Sequence, residues 1–194
     1  MKIDIYNAPR KYSVIYADPP WAYKHSGGNG AALNHYGTMS TEDISALPVR
    51  DICAENAVLF KWATFPNIEE AIKVMRAWGF EYKTAGFVWV KKKKKSGSLF
   101  WGMGAYTRAN AEVCLLGISK RTKAGELVKV HNIHQIIEAP IGVHSAKPGI
   151  TRERIEALTG SEGGLVELFA RSSAPGWDCW GNEAPKGETK EARI

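Results

Sequence analysis

A chain of 194 residues that is 44% hydrophobic and 24% charged holds enough apolar side chains for one domain with a sizeable core. Its formal net charge of +6 favours a polyanionic partner. No apolar run approaches the roughly 20 residues that span a bilayer and no signal peptide heads the chain, so neither a membrane role nor export is expected. Three cysteines, Cys53, Cys114 and Cys179, lie in or beside apolar runs and read as reduced core residues, which points to the cytoplasm.

Taken in order, Lys2 to Tyr6 reads as a short strand before the turn at Asn7-Ala8-Pro9. The run Ser13-Val14-Ile15-Tyr16-Ala17 then reads as a buried strand closed by Asp18-Pro19-Pro20-Trp21. A chance occurrence of that tetrapeptide has a probability on the order of 0.001 at ordinary residue frequencies. Two prolines forbid continuation of the strand, so Asp18 is expected at its carboxyl end, where open α/β sheets bind ligands. These residue types suit the handling of an aromatic amine, whose nitrogen lone pair is delocalised into its ring. A carboxylate and a backbone carbonyl that accept its N–H bonds favour a pyramidal nitrogen with the lone pair pointing out. Proline supplies the carbonyl without a competing donor, and an indole can stack on a displaced base.

The stretch Tyr23 to Leu33 is rich in glycine and serine and reads as a mobile loop. Ser40 and Asp43 predict a helix start before Ile44 to Leu47, stopped by Pro48. Ala57 to Ala63 reads as a buried strand, followed by a helix with Asn67 and Glu70 in a capping-box arrangement. Its apolar positions Ile68, Ala71, Ile72, Met75 and Trp78 repeat at helical spacing up to Gly79. Phe87 to Val90 is another expected strand, running into Lys91-Lys92-Lys93-Lys94-Lys95, which reads either as a solvated loop or as a phosphate contact. An irregular glycine-bearing loop precedes the strand Val113 to Ile118. His131 and His134 lack the further partners of a zinc site, so no metal is expected. Thr151 predicts the cap of a helix from Arg152 to Leu158 ended by Gly160, and Leu165 to Phe169 reads as the last strand. The domain is expected to span 1–182, with 183–194 as a polar, flexible tail.

Asp-Pro-Pro-Trp resembles the signature of the N-6-adenine methyltransferases related to the catalytic subunit of the eukaryotic messenger-RNA adenosine methyltransferase. Tyr36 to Ser40, Trp89-Val90-Lys91, Glu112 to Gly117, His144 to Pro148 and Glu167 to Arg171 match that family in order, across most of the chain. The resemblance implies an α/β fold with the Rossmann-like sheet of S-adenosylmethionine-dependent methyltransferases. In this order the catalytic motif precedes the cofactor-binding strand, a permuted arrangement. It implies transfer of a methyl group to the exocyclic nitrogen of adenine, with Asp18, Pro19, Pro20 and Trp21 as the catalytic set. Asp4, Ile5, Asp18, Lys147, Arg171 and Asn182 would meet the cofactor, with Lys147 on the methionine carboxylate and Arg171 on the ribose. Tyr36, Trp89, Lys91 and Glu112 would line the substrate side. Ala170 departs from the glycines that related DNA enzymes carry around Phe169 to Arg171.

The family also contains non-catalytic subunits whose motif has lost its aspartate or tryptophan, whereas both stand here. Adenine-containing DNA is the favoured substrate on the resemblance to small bacterial and phage members, with RNA as the alternative. A homodimer is left open.

Overall fold

The computed structural model describes residues 1–22, 37–120, 122, 124–142 and 146–184. The glycine- and serine-rich stretch, Tyr36, and residues 143–145 and 185–194 lie outside the described residues. In chain order the elements are β1 (Tyr12–Ala17), α1 (Thr41–Ala46), α2 (Val49–Ile52), β2 (Cys53–Ala63), α3 (Ile68–Ala77), β3 (Phe80–Lys92) and β4 (Ala111–Ser119). They continue with α4 (Ala124–Leu127), β5 (Ile136–Pro140), α5 (Ile150–Thr159), β6 (Leu165–Leu168) and β7 (Trp177–Trp180).

The strands form one mixed seven-stranded sheet in the order β5-β3-β4-β2-β1-β6-β7. β1 pairs in parallel with both β2 and β6, and β6 with β7, while β3 pairs in parallel with β5. Only β4 is reversed, antiparallel to β2 and to β3. Because side chains alternate across a strand, each central strand feeds two cores. Ile15, Ala17, Leu59, Ala63, Leu115 and Val166 meet Ile44, Val74 and Met75 of α1 and α3 on one face. Val14, Tyr16, Phe60, Trp62, Trp89 and Cys114 meet Leu127 and Ile155 of α4 and α5 on the other. Helices on both faces of a mostly parallel sheet confirm the α/β class.

Several local expectations hold. Ser40 caps α1, accepting from the Asp43 N–H at 3.0 Å. Met75 and Trp78 are core residues, and α5 ends at Gly160.

Others are corrected. Lys2 to Tyr6 makes a single bridge, Lys2 to Cys179, instead of a strand. Asn67 makes no side-chain cap, and its N–H, which a capping box would offer to Glu70, already bonds the Thr64 carbonyl in the 3-10 turn Phe65–Asn67, so Glu70 pairs with Lys73 instead. Thr151 lies inside α5, buried, with Gly149 at the cap position. The short strands β5 and β7 flank the sheet at its two edges, where the sequence predicts no strand. Packing reaches Ala184, which is buried and accepts from the Lys2 ammonium at 3.0 Å.

Among the described residues, a lysine is also buried against a core. Lys61 is 0% exposed on β2, where the face it shares with Leu59 and Ala63 meets α3. Its ammonium donates to the Ala71 carbonyl at 2.9 Å and lies 4.3 Å from the Trp21 ring centre and 5.7 Å from that of Trp78. Burial holds its pKa well below the ordinary 10.5. A folded state that binds fewer protons than the unfolded one gains stability as pH rises toward 10.5. Lys61→Met is therefore expected to stabilise the fold relative to the native chain, and more at pH 6 than at pH 9. Urea unfolding at both pH values checks this; a gap that does not shrink with pH would refute the buried-amine account.

Candidate active site

β1 stops at Asp18 because Pro19 and Pro20 bring no N–H to the ladder. The chain then folds back on itself. The Trp21 N–H bonds the Pro19 carbonyl at 3.0 Å, the Met39 N–H bonds the Pro20 carbonyl at 2.9 Å, and the Ala22 N–H bonds Met39 at 3.1 Å. Each proline carbonyl keeps a second lone pair. Asp18 stands between β2 and β6, which leave β1 on opposite sides, so it occupies the point where the strand order switches.

Alternation then selects what surrounds it. Asp18, two residues beyond Tyr16, belongs to the face that carries Trp62 and Trp89. The reversed β4 begins at the edge where its parallel neighbours end, so Glu112, opposite Trp89, lies on the same edge and the same face. Lys147, from the segment before α5, reaches between them. Its ammonium is 2.8 Å from Asp18 Oδ1, 2.9 Å from Asp18 Oδ2 and 3.3 Å from Glu112 Oε2. Lys91 closes the group at 2.5 Å from Glu112 Oε1. Two carboxylates thus face two ammonium groups in a mostly buried cluster. Burial opposes ionisation of Glu112, but Lys147 and Lys91 outweigh it and hold its pKa below the usual 4.5. Burial likewise opposes the Lys147 charge, and Asp18 and Glu112 overcome it, so its pKa is raised.

Beneath this cluster lies an aromatic floor. Lys147 lies 5.7 Å from the Trp62 ring centre and Lys91 lies 5.1 Å from that of Trp89, and the two indoles meet edge to face at 6.4 Å. Trp62 donates to the Tyr16 hydroxyl at 2.6 Å. Arg152 of α5 grips Glu167 of β6 through two hydrogen bonds of 2.6 and 3.0 Å. Sequence reasoning missed Tyr16, Trp62, Arg152 and Lys61. A lysine inside Ala57 to Ala63 and a glutamate inside Leu165 to Leu168 were the available signals, since charges within buried strands need partners.

The remaining expected residues divide by position. Trp21 is 7% exposed and packs with the α1–α3 core, its ring against Lys61 and its indole N–H without a partner. It anchors the turn from below, because the fold-back onto Met39 carries it inward. Trp89 is buried and donates to the Ala139 carbonyl at 2.9 Å, so it supports Lys91 from beneath. Asp4 is exposed and accepts from the Tyr6 N–H at 3.1 Å, while Ile5 is buried. The segment runs parallel to β7 from Lys2, which places both past that strand's carboxyl end. Arg171 and Asn182 follow β6 and β7 at the same edge, Arg171 half-buried and Asn182 exposed. The two exits are tightly joined. Phe169 adopts a left-handed φ of 61°, and a Cβ on Gly181 would lie 2.6 Å from the Ala170 carbonyl oxygen. Tyr36 lies outside the described residues.

Comparison with known proteins adds the family. The profile described as MT-A70 matches residues 12–183. The chain belongs to the MT-A70 family. It is 34% identical over 202 residues to the type II methyltransferase M.MunI of Mycoplasma sp, covering 91% of this chain and 79% of that protein. It is 27% identical over 192 residues to the human N(6)-adenine-specific methyltransferase METTL4, covering 93% of this chain and 39% of METTL4. It is 26% identical over 188 residues to the N6-methyladenosine RNA methyltransferase MTA1 of Cryphonectria parasitica, covering 93% and 54%. This MT-A70 chain is an S-adenosylmethionine-dependent N-6-adenine methyltransferase of nucleic acid.

The donor set fits that cofactor. S-adenosylmethionine supplies a methyl group on a sulfonium and presents an ammonium, a carboxylate and a ribose diol. The edge carries the Asp18 carboxylate and the Lys147 ammonium, with Arg171 and Asn182 on the segments that follow β6 and β7. Among the described residues, no group of three or more His, Cys, Asp or Glu side chains is placed to hold a metal ion.

Glu112 is the shared counter-charge of two lysines, so removing it takes the carboxylate from Lys91 and leaves Lys147 with Asp18 alone. Glu112→Ala is expected to cost roughly 3–5 kcal/mol in urea unfolding at pH 7. With its pKa lowered, the carboxylate's contribution is present above pH 4.5 and is lost as pH falls through the folded value. The stability gap between the native chain and Glu112→Gln should accordingly narrow below that pH. An unchanged gap would show that the carboxylate charge contributes nothing.

Proposed function

We propose that the chain methylates adenine at N-6 in DNA, with Asp18 and a proline carbonyl of the Pro19-Pro20 turn accepting the two N–H bonds of the target amine. The observation that carries this reading is the position of Asp18, at the switch point of the sheet, on a rigid turn whose carbonyls have lone pairs to spare. Lys147 meets the cofactor carboxylate, and Arg171 and Asn182 meet its adenosine portion.

In the arrangement described above, both Asp18 oxygens are engaged by Lys147. A carboxylate that attracts the Lys147 ammonium frees an Asp18 oxygen for the amine, so one lysine links the two binding events. The protein's remaining part is alignment of donor and acceptor, which supplies most of the acceleration in a displacement on an activated methyl group.

DNA is favoured because the chain is 34% identical to the Mycoplasma type II methyltransferase across 79% of that protein, whereas the relative named for RNA is 26% identical across 54% of its length. Three free thiols, one of them half-buried, and no described helix long and apolar enough to cross a membrane support a cytoplasmic setting. Tritiated methyl transfer to adenine-containing DNA single strands, DNA duplexes and RNA tests the assignment. Transfer to RNA alone would overturn the choice of DNA.

Asp18→Ala is expected to lower turnover by about 10²–10³-fold while the fold persists, since Lys147 retains Glu112 as a partner. Normal turnover in that variant removes the proposed role. Lys147→Ala and Arg171→Ala are each expected to weaken S-adenosylmethionine binding by about 1–3 kcal/mol in calorimetric titration. Unchanged affinity in both would refute the assigned contacts.

A further inference from the structure

The loop between β3 and β4 carries side chains that neither the catalytic cluster nor the cores use. Its two limbs are anchored on Lys91: the Phe100 N–H bonds the Lys91 carbonyl and the Lys91 N–H bonds the Asn110 carbonyl, each at 2.8 Å. It therefore emerges at the sheet edge that holds Asp18 and Glu112. Lys91 and Lys92 are strand residues paired with Glu112 and Glu138, so the exposed part of the lysine run is Lys93, Lys94 and Lys95. These three, with Phe100, Trp101 and Ile141, line a groove of about 540 Å³ in which no carboxylate takes part.

Trp101 is 64% exposed, and the Arg108 guanidinium lies 4.7 Å from its ring centre on one side. Leu99, Met103 and Tyr106 of the same loop are exposed as well. An exposed apolar patch of this kind marks a contact surface. The presentation is built in, because a Cβ on Gly102 would overlap the Ala109 carbonyl, so only glycine permits the turn after Trp101.

We propose that this groove is a subsite for an unpaired segment flanking the target adenine, with one base stacked on Trp101 and its phosphates on Lys93, Lys94 and Lys95. The proposal rests on the nucleic-acid reading above and adds strandedness to it. Lysines without carboxylates attract a polyanion, and an indole face accepts any base. A paired base is already covered on both sides by its neighbours, so an exposed ring selects an unpaired one. A second copy of the chain, itself at +6, would bring further positive charge to a basic groove.

Fluorescence anisotropy with a short fluorescein-labelled DNA strand carrying one adenine, and with the matching duplex, tests the proposal across a salt series. Trp101→Ala is expected to weaken single-strand binding by about 5- to 100-fold with the salt slope unaltered, and Trp101→Phe to restore most of it. Duplex binding should change far less. Replacing Lys93, Lys94 and Lys95 by Ser should lower the slope of log affinity against log salt by about 2 units, at roughly 0.7 per phosphate contact. Retained calorimetric binding of S-adenosylmethionine in each variant shows that it folds. Equal single-strand affinity of native chain and Trp101→Ala, or no binding of the strand by the native chain, overturns the subsite. So does a Trp101→Ala change confined to the sedimentation of the protein alone, which would make the groove an interface between copies. Methyl transfer to the same strand is read separately. Transfer without a Trp101 effect removes the subsite and keeps the methylation reading, whereas a Trp101 effect without transfer does the reverse.

Discussion

The contact on which the site depends is the ammonium of Lys147 lodged between the carboxylates of Asp18 and Glu112. Each of the three comes from a different part of the chain: the end of β1, the start of β4 and the segment before α5. Like charges brought this close would repel strongly in a partly dry setting, so the two carboxylates can share the edge only because two lysines stand with them. The aromatic floor of Trp62 and Trp89 excludes water from below and accepts both ammonium groups on its ring faces. Such a cluster is a poor source of stability compared with an apolar core.

The rest of the fold supports this edge from two sides. On one face α5 holds Glu167 through Arg152, and Tyr16 ties β1 to Trp62 on β2. On the other, Trp21 is drawn into the core against Lys61 and Trp78, which fixes the turn that displays the proline carbonyls. The Asp-Pro-Pro-Trp turn is thus split: Asp18 meets Lys147 at the edge, while Trp21 is the root of the turn. Aromatic surface for bases is instead presented by Trp101, on a loop that leaves the same edge.

Much of this was legible in the sequence because it is local. A run of β-branched and aromatic residues ended by two prolines has one economical reading, and it placed Asp18 at a strand's carboxyl end. Ser40 and Asp43 formed their cap as read, since that bond spans only three residues. The capping box at Asn67 and Glu70 failed because the preceding 3-10 turn already takes the Asn67 N–H. β5 and β7 were missed because short edge strands depend on a neighbour's ladder more than on their own residues.

The sequence by itself determined the α/β class, the Asp-Pro-Pro-Trp turn and, through the order of its motifs, the family. Only the tertiary structure decided which charges meet. No local pattern pairs Glu112 with a lysine, and it became the partner of two because β4 runs against both its neighbours. Strand direction is set by crossover connections and long-range pairing, which no local pattern records. The same holds for Lys61, Lys91 and Trp21, whose burial follows from what packs over them, since solvent exclusion is a property of the assembled layers and not of any segment.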